Sequence, residues 1–194
     1  VNGVDGKIWT DSGYYLPCRI IASKKSKWIY GKAFMMNDLT ILSASPIWTK
    51  HISPNVYLGA NAKVASEYLD YPIGYEHDYL SQTTFGIVKN PNYLPTNFIM
   101  VIEGPINNPS FFIADHLYNV DVAIGDGEYL VIDSVNKTIT LNKNSSVVNC
   151  FNARNRESYV FERIPPGVSD FVTNSQNLKL TLTLLDERSE PAWI

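Results

Sequence analysis

The sequence has few cysteines, no long apolar run and no leader-like start, and each shortage excludes a class of protein. Only 2 of its 194 residues are cysteines, which excludes a disulfide-dense secreted scaffold. We expect Cys18 and Cys150 to be free thiols that are buried as small hydrophobic side chains, in a protein that folds in a reducing cytoplasm. A Cys18–Cys150 disulfide is the alternative. No apolar stretch reaches the ~18 residues of a membrane-spanning helix. We therefore expect neither a membrane span nor a signal peptide.

Charge is also scarce, at 18% of residues, with 16 basic and 19 acidic side chains that give a net charge of −3. A nucleic-acid-binding domain needs a dense basic stripe and is usually basic overall. The longest basic cluster here is Lys24-Lys25-Ser26-Lys27, which we interpret as a solvated turn or edge. Nucleic acid is therefore not an expected partner.

The sequence contains no motif for catalysis, cofactor binding or metal binding. His51, His77 and His116 fall in no metal-ligand spacing. In Glu76-His77-Asp78 neighbouring side chains would point to opposite faces of a strand, so we interpret the triplet as a solvated loop. We expect no enzyme activity, no cofactor and no metal. A β-sandwich hydrolase stays as a remote alternative, because carboxylate pairs meet only in three dimensions.

What the sequence has in abundance is period-2 patterning. Residues 178–184 place four leucines on one face, with Lys179, Thr181 and Thr183 on the other. Burial of each leucine contributes roughly 1.5–3 kcal/mol, so a one-residue slip of register would be strongly destabilising. Residues 178–184 are therefore predicted to form a strand with its leucines in the core.

The segment 118–141 predicts two neighbouring hairpins. Strands are expected at 118–124, 128–133 and 137–141, joined by a turn at Gly125-Asp126-Gly127 and a second turn at 134–136. We expect Tyr129, Val131, Ile139 and Leu141 to build the core. Further strands are predicted at 19–23, 27–34, 39–43, 98–103 and 158–164, the last closed by Pro165-Pro166-Gly167.

The predicted fold class is an all-β antiparallel sandwich, galectin-like or jelly-roll-like, with a short N-terminal β appendage. No segment carries a helical apolar stripe over three turns, so helix should be scarce. We predict an N-terminal β segment at 1–45, a connecting region at 46–97 and the sandwich at 98–194. The connecting region is rich in proline, which central strands exclude.

Aromatic residues are numerous, with 12 Tyr, 8 Phe and 4 Trp, and two interpretations stay open. Tyrosines of the middle region form a candidate assembly surface, or they pack back onto the sandwich. These residues are Tyr68, Tyr71, Tyr75, Tyr79 and Tyr93. In a lectin-like module, sugars would instead stack on an exposed tryptophan, and the candidates are Trp9, Trp28 and Trp48.

Three stretches together resemble one family. They are LTILSASPIW at 39–48, IEGPINNP at 102–109, and GDGEYLVIDSVNKTITLN at 125–142 with IPPGV following at 164–168. This order is similar to the distal tail (Dit) proteins of long-tailed bacteriophages and prophages. The likeness covers residues 39–194, and the hairpin is its most specific part. The C-terminal ERSEPAW at 187–193 also resembles the ends of tail proteins.

The resemblance implies a structural component of a phage tail tip or baseplate. Its partners would be other tail proteins, with receptor-binding proteins or a cell-surface glycan as further partners. It implies a homo-oligomer that is assembled in the host cytoplasm and resides in the virion tail, and it passes on no catalytic residue. The sequence departs from the family at Ser45, where aspartate is usual. The segment before Leu39 is shorter than the usual ring-forming domain, so that domain is expected upstream of Val1 or absent.

Overall fold

The computed structural model describes residues 6–28, 31, 35–53, 84–143, 146–175 and 178–191, without the side chains of 26–28, 35, 84 and 85. The chain forms two compact units. The first comprises Val1–His51 and Asp186–Ile194, and the second comprises Ile52–Leu185. Of the residues in these ranges, none belong to a helix long and apolar enough to cross a membrane.

The first unit is built on short antiparallel pairings. Strand β1 pairs with β2, β2 pairs with β3, and β2 touches β4 through the pair Tyr15 and Thr49. The pairing of β2 with β3 extends over eight residue pairs as a two-stranded ribbon. The strands are β1 (Gly6–Trp9), β2 (Tyr15–Trp28), β3 (Met35–Leu42) and β4 (Trp48–Ile52).

The second unit contains most of the strands. They are β5 (Thr84–Asn90), β6 (Asn97–Glu103), β7 (Ile106–Asn107), β8 (Ser110–Ile113), β9 (His116–Asn119), β10 (Ala123–Ile124), β11 (Tyr129–Asp133), β12 (Thr138–Lys143), β13 (Ser146–Asn149), β14 (Gly167–Thr173) and β15 (Lys179–Arg188). A single 3₁₀ turn, Phe151–Ala153, is the helical element of the described residues. Strand β15 continues past Leu185 into the residues of the first unit.

Two antiparallel sheets enclose the core of the second unit. One has the order β15-β6-β11-β12-β13, and the other has the order β5-β14-β8-β9. The ring of Phe98 on β6 meets Tyr118 on β9 edge-on, with centroids 5.8 Å apart. Phe111 is stacked between Tyr118 and Phe171, at 5.6 Å and 5.4 Å. This packing of side chains from both sheets confirms the predicted all-β sandwich; the galectin-like or jelly-roll-like subtype stays a prediction.

The last strand has the predicted register. Leu178, Leu180, Leu182 and Leu184 are buried, while Lys179 and Thr181 are exposed. Strand β15 pairs with β6, which is itself central in its sheet.

The core prediction for the β11–β12 hairpin is half confirmed. Ile139 and Leu141 of β12 are buried as expected. On β11 the prediction was wrong by one residue, because Leu130 and Ile132 are buried and Tyr129 is 43% exposed. The apolar run of β11 has no polar alternation, so the sequence carried no signal for which face turns inward.

The predicted hairpin at Gly125-Asp126-Gly127 is also wrong. The chain does turn there, with Gly127 at a φ of 73°. Strand β10, however, pairs with β7, whereas β11 pairs with β6 and β12. A Cβ on Gly104 would lie 2.0 Å from the Gly125 carbonyl oxygen, so the two segments approach too closely for any side chain at residue 104.

The strand predicted at 158–164 is absent from the described structure. Within this segment, Ile164 forms an isolated antiparallel β-bridge with Thr96. Val160, Phe161 and Ile164 are nonetheless buried in the core cluster. Their apolar character therefore reflects burial of an irregular segment, which periodicity cannot distinguish from a short buried strand.

The bounds of the compact units differ from the predicted domain limits at 45 and 98. In its described part, the predicted connecting region contains β4 and β5. Strand β5 pairs along its full length with β14 and lies at the edge of its sheet, where proline-rich flanks are tolerated. The three-part division stays a prediction about which segments fold independently. Cys18 is buried, Cys150 is half-buried, and both are free.

Candidate binding surfaces

A tight hairpin between β1 and β2 sets up the first candidate surface. The Thr10 N–H donates to the Tyr14 carbonyl at 2.8 Å, and the Gly13 N–H donates to the Thr10 carbonyl at 3.0 Å. The Tyr14 N–H also donates to the Thr10 hydroxyl oxygen at 3.1 Å. Gly13 has a φ of 83°, a left-handed conformation that glycine adopts without strain. These bonds place Trp9 directly opposite Tyr15.

Trp9, Tyr15, His51 and Lys7 form a cluster that we name the Trp9 patch. The rings of Trp9 and Tyr15 are 5.0 Å apart between centroids. The Tyr15 hydroxyl and His51 Nε2 are hydrogen-bonded at 3.1 Å. Lys7 Nζ lies 4.1 Å from the centroid of the Tyr15 ring, a cation–π contact. Trp9 remains 61% exposed, so the patch presents an indole ring to solvent.

The patch contains one positive charge, the ammonium of Lys7. Partial burial, followed by the charge of Lys7, lowers the pKa of His51 below its usual 6.5. Lys7 and Arg19 lie on the same face as Tyr15. Lys7 is two residues before Trp9, which is paired with Tyr15, and Arg19 is four residues after Tyr15 on the same strand.

The opposite face of this hairpin is anchored within the first unit. The hydroxyl of Tyr14, a buried residue, donates to Asp186 Oδ2 at 2.5 Å. Arg188 in turn contacts the same carboxylate at 3.0 Å. Burial and the Asp186 contact raise the pKa of Tyr14 above its usual 10. Tyr14 and Tyr15 are sequence neighbours, so one tyrosine holds the hairpin while the other forms the patch.

A second candidate surface is the loop tip between β5 and β6. Tyr93 is 95% exposed and Leu94 is 73% exposed. The buried side chain of Asn90 lies beneath the loop, and its Nδ2 donates to the Ile164 carbonyl at 3.0 Å. Asn90 Oδ1 accepts from the Asn92 N–H at 3.0 Å. The tip therefore presents two apolar side chains from a loop held by buried hydrogen bonds.

A third candidate surface is the β2–β3 ribbon. Large apolar side chains on both of its strands are exposed, by 39% to 58%. A two-stranded ribbon has too little core of its own to cover such side chains. The basic cluster at Lys24 and Lys25 lies on this ribbon, paired with Asp38 and Asn37. The exposed apolar residues are Ile20, Ile21, Met36, Leu39, Ile41 and Leu42.

The structure brings together few of the sequence-predicted site residues. Tyr68, Tyr71, Tyr75 and Tyr79 lie outside the described residues, as do the Glu76-His77-Asp78 triplet and the side chain of Trp28. Tyr93 occupies the exposed loop tip described above.

The tryptophan candidates do not share one surface. Trp48 is half-buried and lies on the opposite face from Trp9, because its neighbour Thr49 is the residue paired with Tyr15. Sequence reasoning missed Tyr15, His51 and Lys7. The segment IWTDSGYY at 8–15, an aromatic on each side of a Gly-containing turn, was the available signal for the Trp9–Tyr15 pair.

Within the described ranges, no three His, Cys, Asp or Glu side chains are grouped so that they could hold a metal ion.

No protein-family model and no curated protein sequence matches the chain.

Similarity is found at the level of structure. One chain from a structure of the phage P2 baseplate in its activated conformation with Ca has a TM-score of 0.51 and 14% identity. A chain from the corresponding structure with Sr has a TM-score of 0.51 and 13% identity. Each likeness covers 91% of this chain but only 65% of the neighbour. At this identity the comparison establishes the fold, and the chain therefore has a fold like that of phage P2 baseplate chains.

Proposed function

We propose that the chain is a non-catalytic structural component of a phage or prophage tail tip or baseplate, of the distal-tail type. The observation that carries the proposal is the likeness of fold to the phage P2 baseplate chains, which extends over 91% of this chain. The sequence resemblance to distal tail proteins supports the same function. The component would be assembled with other tail proteins in the host cytoplasm and would reside in the virion tail.

The exposed apolar surfaces fit a role in permanent assembly. Interfaces of obligate complexes are large and apolar, commonly above about 2,000 Å² in total. The β2–β3 ribbon and the Tyr93–Leu94 tip expose large hydrophobic side chains. Exposure of such side chains to water does not stabilise a free monomer, whereas their burial would stabilise an assembly. We propose both as contacts with neighbouring subunits or tail proteins. Leu94 thereby joins Tyr93 in the candidate assembly surface, and the ribbon is a separate candidate surface.

Deletion of the gene in the phage or prophage that carries it tests the tail assignment. We expect particles without a functional tail tip, and restoration of complete tails when the full chain is supplied from a plasmid. Immunogold labelling of complete particles should mark the distal end of the tail. Normal, infectious particles after deletion would contradict the proposal.

The assembly surfaces are tested separately, by complementation with variants. Tyr93→Ser combined with Leu94→Ser, and Ile21→Ser combined with Leu42→Ser, should each reduce the recovery of complete tails. Tyr129→Ser is the matched control, because Tyr129 is a partly exposed aromatic outside both surfaces. Complementation by both double variants at the level of the control would remove these surfaces from the proposal while leaving the tail assignment intact.

A further inference from the structure

We infer that the Trp9 patch is a binding site for an acidic saccharide, a sugar ring that carries a carboxylate or a phosphate. The first observation is the indole of Trp9, which is 61% exposed on a regular strand. Flat aromatic faces bind the apolar face of a sugar ring, and their polar edge remains available for hydrogen bonds. Trp9 thus offers a platform that a buried or half-buried tryptophan lacks.

The charge of the patch selects for an anionic sugar. Lys7 Nζ lies over the Tyr15 ring at 4.1 Å, beside the platform. Among residues 6–9 of β1 and 15–19 of β2, the charged residues on this face are Lys7 and Arg19. Asp11 lies in the turn two residues beyond Trp9, and Asp5 precedes Lys7 by two residues in the sequence, outside the described part of the chain. A carboxylate or phosphate at Lys7 would gain a charge-assisted contact that a neutral sugar cannot make.

Polar groups around the platform match sugar hydroxyls. The Tyr15 hydroxyl and His51 Nε2 are hydrogen-bonded to each other at 3.1 Å, and His51 is exposed. A phenol oxygen both donates and accepts, and an imidazole has a second ring nitrogen besides Nε2, so both side chains have the chemistry to bond sugar hydroxyls. A stacking ring, a cation and two adjacent polar groups form the combination that recognises an acidic pyranose.

The patch is largely preorganised. The hydrogen bonds of the 10–14 turn fix the relative position of Trp9 and Tyr15. On the opposite face, the bond from Tyr14 to Asp186 holds the hairpin. Preformed sites lose less conformational entropy on binding, so a small contact area can still give measurable affinity. The inference does not depend on the proposed tail function, because it uses contacts within the first unit alone.

Calorimetric titration of the full chain with trigalacturonate tests the inference, with maltotriose as the neutral probe of equal length. We expect trigalacturonate to bind with a Kd on the order of 0.1–1 mM, and maltotriose at least about tenfold more weakly. Added salt should weaken the binding of trigalacturonate, since an exposed charge contact is screened. Trp9→Ala should weaken it at least about tenfold and Trp9→Phe less, because phenylalanine keeps part of the stacking area.

Lys7→Gln tests the anion contact and should remove most of the preference for trigalacturonate over maltotriose. Matched controls are Tyr129→Ala for the aromatic and Lys25→Gln for the cation, both exposed residues that are not part of the patch. Equal binding of both sugars by the unaltered chain, or unchanged binding in Trp9→Ala, would overturn the inference. Absence of binding to both probes, combined with a loss of tail assembly in Trp9→Ala, would also overturn the inference. In that case the patch would be a contact with another protein.

Discussion

The hydroxyl of Tyr14 and the carboxylate of Asp186 are joined by a 2.5 Å hydrogen bond across 172 residues of sequence. The bond connects the first hairpin of the chain to its last strand inside the first unit. Because Tyr14 is buried, the phenol is stabilised in its neutral, donating form. Tyr15, the next residue, faces the other way and contributes to the Trp9 patch.

Removal of this bond should destabilise the protein. Tyr14→Phe keeps the ring but leaves the Asp186 carboxylate without one of its partners, which should lower the free energy of unfolding by about 1–2 kcal/mol. Urea denaturation, followed by circular dichroism, measures the change. Asp186→Asn and the double variant complete a mutant cycle. Additive effects of the two single substitutions would show that the contact contributes nothing specific.

The same bond predicts a dependence of stability on alkaline pH. The pKa of Tyr14 is raised in the folded state, so the unfolded chain loses its phenolic proton first as pH rises through about 10. The stability contribution of Tyr14 is complete below that pH and decreases above it. Tyr14→Phe should therefore lose less stability between neutral and strongly alkaline pH than the unaltered chain. Burial also raises the pKa of Tyr118, so Tyr118→Phe serves as a second comparison for the decrease.

His51 predicts a dependence at acidic pH, with the opposite course. Its pKa is lowered in the folded state, so the unfolded chain takes up the proton first as pH falls below about 6.5. Stability should decrease as pH falls through that range, and less so in His51→Gln. NMR titration of the imidazole measures the pKa directly. Lys7→Gln should raise it, whereas Lys25→Gln should leave it unchanged; equal values in all three proteins would exclude the influence of Lys7.

The register of the last strand predicts a contrast between neighbouring positions. Leu182→Ala should cost about 2–5 kcal/mol, because Leu182 is 1% exposed and the sandwich cannot close over the lost volume. Thr181→Ala, one residue earlier on the exposed face, should cost less than about 1 kcal/mol. Thermal unfolding of both variants gives the comparison. Similar costs would mean that the assigned register is wrong.

Substitutions at the exposed tip of the β5–β6 loop and at the buried Asn90 beneath it should differ in their effect on the free energy of unfolding. Tyr93→Ser should change the free energy of unfolding by less than about 0.5 kcal/mol, because the side chain is 95% exposed. Asn90→Ala should cost about 1–3 kcal/mol, since it leaves the Asn92 N–H without its acceptor and removes one of the two donors to the Ile164 carbonyl, the other being the Thr96 N–H. A large loss of stability in Tyr93→Ser would show that Tyr93 packs on the domain and is not available for assembly.

The elements that sequence analysis predicted correctly are those with a one-sided pattern. Residues 178–184 alternate strictly between leucine and polar residues, and the strand has the expected inward face. Ile139 and Leu141 were predicted for the same reason. Tyr129 was placed on the wrong face because residues 129–132 form an uninterrupted apolar run, so period-2 patterning carried no preference between its two faces.

The Trp9 patch lay beyond sequence analysis for a different reason. Trp9 was recognised as a candidate, but it was grouped with Trp28 and Trp48, since tryptophans are conspicuous wherever they occur. Its actual neighbour is Tyr15, which in turn contacts His51, and strand pairing brings these residues together. The turn-containing segment at 8–15 was a signal for the Trp9–Tyr15 pair, whereas the contact of Tyr15 with His51, 36 residues away, had no local signal.

Alternation of apolar and polar residues is a local property of the chain, so the sequence was enough to predict a β-rich sandwich and the position of its best-patterned strands. The strand pairing, the glycine turn that joins two sheets and the contacts between aromatic rings became known only from the folded chain. Those outcomes depend on contacts between residues far apart in sequence, such as Tyr14 with Asp186 and Tyr15 with His51. Local patterning leaves such contacts undetermined, since many pairings can bury the same apolar faces.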